Sequence, residues 1–161
     1  NGNMKFALNG ALTLGTMDGA NVEMAEEIGV ENMFIFGLSS EEVVNLKAAG
    51  YNPHYYYESD PELKRVVDSL VDGSFDVGSK DEFRHIWKTL MEEGDNYLHL
   101  ADFRSFVDTS ARVDELYRQR DAWTKKAILN VARMGKFSSD RAIKEYAREI
   151  WKIEPLQLDF R

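Results

Sequence analysis

The chain contains no cysteine among its 161 residues. That excludes disulfides, thiolate metal sites, CxxC redox chemistry and a cysteine nucleophile. It fits a reducing, cytoplasmic setting, which is the location expected. Excess positive charge is also lacking. Lysine and arginine total 20 against 28 acids, a net charge of -8. Nucleic-acid binding is not expected without a basic face to neutralise phosphates, and an anionic membrane surface is disfavoured for the same reason. No apolar run approaches the ~20 residues of a membrane span. No Asn-x-Ser/Thr acceptor occurs, and the N-terminus lacks a secretory layout.

What is present is the balance of a globular protein, 43% hydrophobic and 30% charged. Residues 11–16 read as a short strand, followed by a turn at Asp18-Gly19. A helix is expected over 20–28, closed by Gly29, and a buried-type strand over Met33–Phe36. Ser39 with Glu42 is a capping-box signature that opens a helix ended by Gly50. The first 50 residues therefore predict an incomplete β-α-β-α unit with parallel pairing.

Residues 51–161 read as predominantly helical, so the fold class is α/β with mostly helical content. Asp60-Pro61 starts a helix whose Leu63, Val66, Val67, Leu70 and Val71 share one face. Ser79 with Glu82 repeats the capping box ahead of a helix that buries Phe83, Ile86, Trp87, Leu90 and Met91. A longer helix is expected around Phe103–Tyr117. Ala122–Met134 follows, with Gly135 as its C′ residue. Ser138-Ser139-Asp140 caps a last helix that stops before Pro155. Gly73–Ser79 is the segment expected to be mobile.

Several chemical signals weaken on inspection. Gly10 and Gly15 have P-loop spacing, but Thr16-Met17 replaces the lysine and the metal hydroxyl, so the glycines are read as packing residues. Glu82-x-x-His85 has carboxylate-bridged metal spacing without the second copy such sites need. Asp95 and His99 are no stronger. His54, His85 and His99 lie in different elements, with no nucleophile-elbow pattern nearby. Lys125, Lys126 and Arg133 read as a solvated face, with phosphate binding as the minority alternative. The Tyr55–Tyr57 run reads as packing, with sugar stacking as the minority alternative. Lys5, flanked by Met4 and Phe6, is expected to be partly withdrawn from water. Desolvation would make its amine nucleophilic, as a Schiff-base lysine requires, although most lysines are surface charges.

The block Gly2-Asn3-Met4-Lys5-Phe6-Ala7-Leu8-Asn9-Gly10-Ala11-Leu12-Thr13 resembles the pyridoxal-phosphate attachment segment of α-glucan phosphorylases. The resemblance continues through Gly15–Glu23 and Phe34–Gly37. It returns at Gly135–Arg141, Ile143–Tyr146 and Ile150-Trp151, and is loose over about residues 51–100. It implies the C-terminal segment of the cofactor-binding, Rossmann-like lobe over residues 1–161. The implied reaction cleaves α-1,4-glucan with inorganic phosphate to give glucose 1-phosphate. The implied cofactor is pyridoxal 5′-phosphate, held through Lys5, with the Gly2 N–H toward its phosphate. No catalytic residue independent of the cofactor is implied, and no metal.

Asn1 stands where the family carries Thr, whose hydroxyl meets the cofactor phosphate. The N-terminal lobe and the residues that bind substrate phosphate are expected outside this segment. The isolated chain is therefore expected to be inactive, and its parent a homodimer. Trp123, Trp151 and Tyr55–Tyr57 are candidate apolar patches for self-association. The alternative reading is a non-catalytic helical packing or interaction module.

Overall fold

A computed structural model describes residues 2–75, 81–154 and 156. It opens with helix α1 (Gly2–Leu8), strand β1 (Leu14–Gly15) and helix α2 (Ala20–Ile28). A 3-10 turn at Val30–Asn32 leads into β2 (Phe34–Ile35) and α3 (Ser40–Ala48). Helices α4 (Pro53–Ser59), α5 (Pro61–Ser69), α6 (Arg84–Met91), α7 (His99–Tyr117) and α8 (Arg120–Arg133) follow. A 3-10 turn (Met134–Phe137), α9 (Ser139–Glu145) and a π-helical turn (Tyr146–Trp151) complete the order. Among the described residues, no helix is long and apolar enough to cross a membrane.

The expected β-α-β-α order holds, with strands shorter than anticipated. The Phe34 N–H donates to Thr13 O at 2.8 Å and the Phe36 N–H to Gly15 O at 3.2 Å. Both donors and acceptors advance by two residues, so the pairing is parallel. β1 and β2 form a two-stranded sheet.

Local caps explain several helix starts. Ser39 Oγ accepts the Glu42 N–H while the Glu42 carboxylate accepts the Ser39 N–H, a complete capping box. Asp60 accepts the Glu62 and Leu63 N–H groups ahead of α5. Asn52 accepts the His54 N–H ahead of α4, a helix the sequence reading did not separate out.

Other expected boundaries are corrected. Ser79 lies outside the described residues, as does part of the Gly73–Ser79 segment. Glu82 sits in a turn before α6, whose N-cap is Phe83 without a side-chain hydrogen bond. Gly135 is not left-handed, because the chain tightens from α8 into a 3-10 turn. Ser138 occupies the α9 N-cap with no side-chain bond. Pro155 lies outside the described residues.

The chain divides into two compact units, each discontinuous in sequence. One comprises the residues up to Thr13, Gly19–Phe34 and those from Glu115 onward; the other comprises Leu14–Asp18 and Ile35–Asp114.

In the first unit, α1, α2 and α8 pack together. Ala7, Met24, Ile28, Met33, Phe34 and Met134 are buried. The inner face of α8 carries donors at i, i+4 and i+7. The Lys126 amine donates to Glu31 O, Asn130 Nδ2 to Asn32 O at 3.2 Å, and Arg133 Nη1 to Ile28 O at 2.6 Å. Helix C-terminal carbonyls lack intrahelical partners and carry partial negative charge, so cations on long stems are favourable there. Lys126 and Arg133 are thus tied to backbone by their head groups, while Lys125 and Arg133 remain exposed, as the solvated-face reading expects.

In the second unit, Leu63, Val67, Met91 and Leu100 form the buried cluster, with Tyr56, Tyr57, Trp87, Leu90 and Phe103 packed on it. Val66 and Ile86 are exposed rather than buried. The tyrosine run splits: Tyr56 and Tyr57 face the core, while Tyr55 is exposed. In the first unit, by contrast, Trp151 is exposed, and Trp123 meets Tyr117 edge-on at 5.0 Å. Asp95, 1% exposed, sets the start of α7 by accepting the Leu100 N–H and the Tyr51 hydroxyl on one oxygen, at 2.8 and 2.7 Å. Burial, and then Asp95, push the Tyr51 hydroxyl well above the usual phenol range.

Candidate functional site

Among the described residues, α1 and a cleft in the second unit carry groups suited to act on a ligand. The first is α1. Gly2 and Lys5 are three residues apart on this helix, so both lie on one face, one above the other. Nothing lies within 4 Å of the position a Cβ on Gly2 would take, which leaves the backbone there open to close approach.

Lys5 is exposed, and its amine makes no ion pair among the described residues. This corrects the expectation that Met4 and Phe6 withdraw it from water. Helical neighbours i±1 project about 100° apart, so they do not cover one another. Ala7 is the residue α1 buries, and Phe6 is 67% exposed.

The turn is firmly tied. The Ala11 N–H donates to Phe6 O and the Gly10 N–H to Ala7 O, both at 3.0 Å, which is a Schellman ending with Gly10 at φ +84°. Asn9 Nδ2 donates to Lys5 O at 2.7 Å. Asn3 Nδ2 donates to Asn21 Oδ1 at 2.9 Å, anchoring α1 to α2. A Cβ on Gly10 would stand 3.6 Å from Val131 and 3.8 Å from Ala127. The glycine that mimics P-loop spacing is therefore a helix terminator resting on α8.

The second place is a cleft of about 490 Å³ within the second unit. Thr16 and Asp18 reach it just after β1, and Phe36 and Leu38 just after β2. The carboxyl ends of parallel strands are the usual ligand position in open α/β sheets. Val43 of α3 also lines it. Tyr97 and α7 supply the opposite wall, through His99, Asp102, Phe103 and Phe106. Phe36 and Phe106 meet edge-to-face at 5.2 Å.

Asp102 accepts the Leu38 N–H at 2.8 Å, and Ser105 Oγ accepts the Gly37 N–H at 2.9 Å. Burial pushes the Asp102 carboxyl above the usual carboxylate range, against the opposing pull of the Leu38 N–H. Sequence reasoning flagged His99 only as a weak metal candidate and missed the rest. Among the described residues, no group of three His, Asp or Glu is placed to hold a metal. His85 is exposed, its Nδ1 3.1 Å from Glu82 O.

A family model for carbohydrate phosphorylases matches residues 1–153. The chain belongs to the carbohydrate phosphorylase family. It is 55% identical over 157 residues to human glycogen phosphorylase, brain form, covering 98% of this chain and 18% of that protein. It is 51% identical to a Haemophilus influenzae glycogen phosphorylase over 156 residues, 97% of this chain and 19% of that protein. A Synechocystis glycogen phosphorylase is 51% identical over 158 residues, 98% of this chain and 18% of that protein. The chain thus spans under a fifth of the length of these curated relatives. The family match crosses residues 51–100, where the motif blocks alone give only loose resemblance.

Proposed function

We propose that this chain is the cofactor-anchoring segment of an α-glucan phosphorylase. The whole enzyme would transfer the terminal glucosyl unit of an α-1,4-glucan to inorganic phosphate, releasing glucose 1-phosphate. The match over residues 1–153, which includes the Gly2–Thr13 block, carries this reading. The relatives bearing glycogen phosphorylase names support it, and nothing comparable supports a purely packing module.

The residues of α1 fit pyridoxal 5′-phosphate in their chemistry. Lys5 offers an exposed primary amine for the cofactor aldehyde. On the same helix face, Gly2 offers a backbone N–H with no side chain to obstruct it. When bound, the cofactor supplies a phosphate whose second pKa, near 6, suits proton exchange with a substrate phosphate at neutral pH. Lys5 serves as an anchor. Asn9, Asn3 and Gly10 hold the turn that presents it.

The parallel β1–β2 pair with its crossover helix would be one edge of a Rossmann-like lobe. The other lobe and the groups that bind substrate phosphate would lie in the remainder of the enzyme, a homodimer in this reading. The isolated chain is accordingly expected to lack phosphorolysis.

Incubation with near-stoichiometric pyridoxal phosphate, borohydride reduction and peptide mapping tests the anchor. Selective modification of Lys5, abolished in Lys5→Ala, is the expected result. Scattered modification of exposed lysines, unchanged in Lys5→Ala, would overturn the assignment for this chain.

A further inference from the structure

The cleft beyond β1 and β2 belongs to no step of the proposed reaction, and its chemistry is one-sided. Its floor is apolar, with Phe36, Phe103 and Phe106 among its walls. The two carboxylates that line it, Asp18 and Asp102, have no lysine or arginine among the lining residues to offset them. Asp18 is exposed and makes no ion pair among the described residues. Asp102 already gives one oxygen to the Leu38 N–H. Its carboxyl is held above the usual range by burial and by the neighbouring charges of Asp95 and Asp18, with His99 pulling the other way.

An anionic ligand would meet two acids. A divalent metal would lack oxygen donors, since no acid or histidine triad capable of holding one exists among the described residues. A cation with an apolar body satisfies both halves of the cleft. Its charge offsets the carboxylates, and its body covers aromatic surface, with Phe36 and Phe106 left to attract a cation because the Arg104 guanidinium already lies 5.5 Å from the centre of the Phe103 ring.

We propose that this cleft is a binding site for a small organic ammonium, with Asp18 as the charge partner and the three phenylalanines as the apolar bed. The position supports this independently of composition. Asp18 and Phe36 each follow the carboxyl end of a parallel strand, where open α/β sheets receive ligands. The volume of about 490 Å³ lies within the range of small-molecule sites. The inference does not depend on the assignment of Lys5.

The test uses the full chain, isotope-labelled for backbone NMR, titrated at pH 8 with phenethylammonium chloride, with neutral 2-phenylethanol and with maltose. Saturable shifts at the Leu38 amide and around Asp18 are expected with phenethylammonium. Its affinity should exceed that of 2-phenylethanol at least about fivefold. Asp18→Asn should remove most of that difference and leave the affinity for the alcohol unchanged. Phe106→Ala should weaken both.

Equal affinity for the ammonium and the alcohol would overturn the charge argument and leave a merely apolar cavity. An Asp18→Asn chain that still favours the ammonium would overturn the role of Asp18. Saturable shifts from maltose at the same amides, with none from the ammonium, would refute the ligand class. So would the absence of saturable shifts with any probe.

Discussion

Substituting Gly37 by alanine tests how the rim of the cleft is built. Gly37 follows β2 at φ +80°, a conformation that costs a non-glycine residue about 1–2 kcal/mol. An added Cβ would also stand 2.7 Å from Asp102 Oδ2 and 2.9 Å from Oδ1, closer than carbon and oxygen pack. Asp102 must then retreat. Its bond to the Leu38 N–H, 2.8 Å long and charge-assisted, is lost at about 1.5–3 kcal/mol. Gly37→Ala should therefore destabilise by about 2.5–5 kcal/mol in total.

The two contributions separate in a double-mutant cycle. In an Asp102→Ala background the collision is gone and the hydrogen bond is already broken. Gly37→Ala should there cost only the backbone strain, about 1–2 kcal/mol. The coupling should be about 1.5–3 kcal/mol, the worth of the shared hydrogen bond. Urea unfolding followed by far-UV circular dichroism measures the four chains. Hydrogen exchange of the Leu38 amide reports the local bond, which should lose protection in both single variants. Additive costs would refute the geometry. So would a Gly37→Ala cost below about 1 kcal/mol, because the left-handed strain alone predicts more.

Other outcomes follow from single contacts. Asn130 is fully buried and donates to Asn32 O and Lys126 O. Asn130→Leu, with the same number and branching of side-chain heavy atoms, should destabilise by about 1–2 kcal/mol by stranding the Asn32 carbonyl. A neutral result in chemical denaturation would mean that the polar tie contributes nothing. Asp60 and Asp102 should shape acid stability with opposite signs. The Arg104 hydrogen bond holds Asp60 below its ordinary value of 3.8, so its contribution is present above that pH and is lost as pH falls through the lowered value. Burial holds Asp102 above 3.8, so stability declines as pH rises from there through the raised value, where ionisation costs more in the folded chain. Urea midpoints between about pH 2 and 7 should show Asp60→Asn flattening the acid limb and Asp102→Asn flattening the opposing decline. A change of the same sign in both variants would contradict this.

The features legible in the sequence are those whose causes lie within a few residues. The Ser39–Glu42 box and the Asp60-Pro61 start need only their own turn, and both form as read. Helical periodicity placed Leu63 and Val67 in the core, and failed at Val66 and Ile86, which are exposed. Features set by distant contacts were not legible. The ties of Arg133 to Ile28 O at the end of α2 and of Lys126 to Glu31 O in the turn after it reach back some hundred residues and leave no local signal. The cleft draws its walls from Thr16 to Phe106, a separation that no local motif spans.

Lys5 combines both cases. Its neighbours Met4 and Phe6 gave the wrong environment, because linear adjacency is not contact on a helix. Its proposed role came from a twelve-residue block recognised whole. Yet that block is also a physical unit. A seven-residue helix is too short to persist alone, since helix nucleation is costly and few bonds follow it. α1 holds because Gly10 ends it in a Schellman turn, Asn9 binds its last carbonyls, Asn3 reaches Asn21, and Ala7 and the Gly10 backbone rest against other helices. Each of these residues lies inside the recognised block or touches it. The motif therefore specifies both an amine and the scaffold that fixes where the amine points. A lysine carried on a frayed terminus would have the same chemistry without the aim, and attachment to an aldehyde in one orientation depends on that aim.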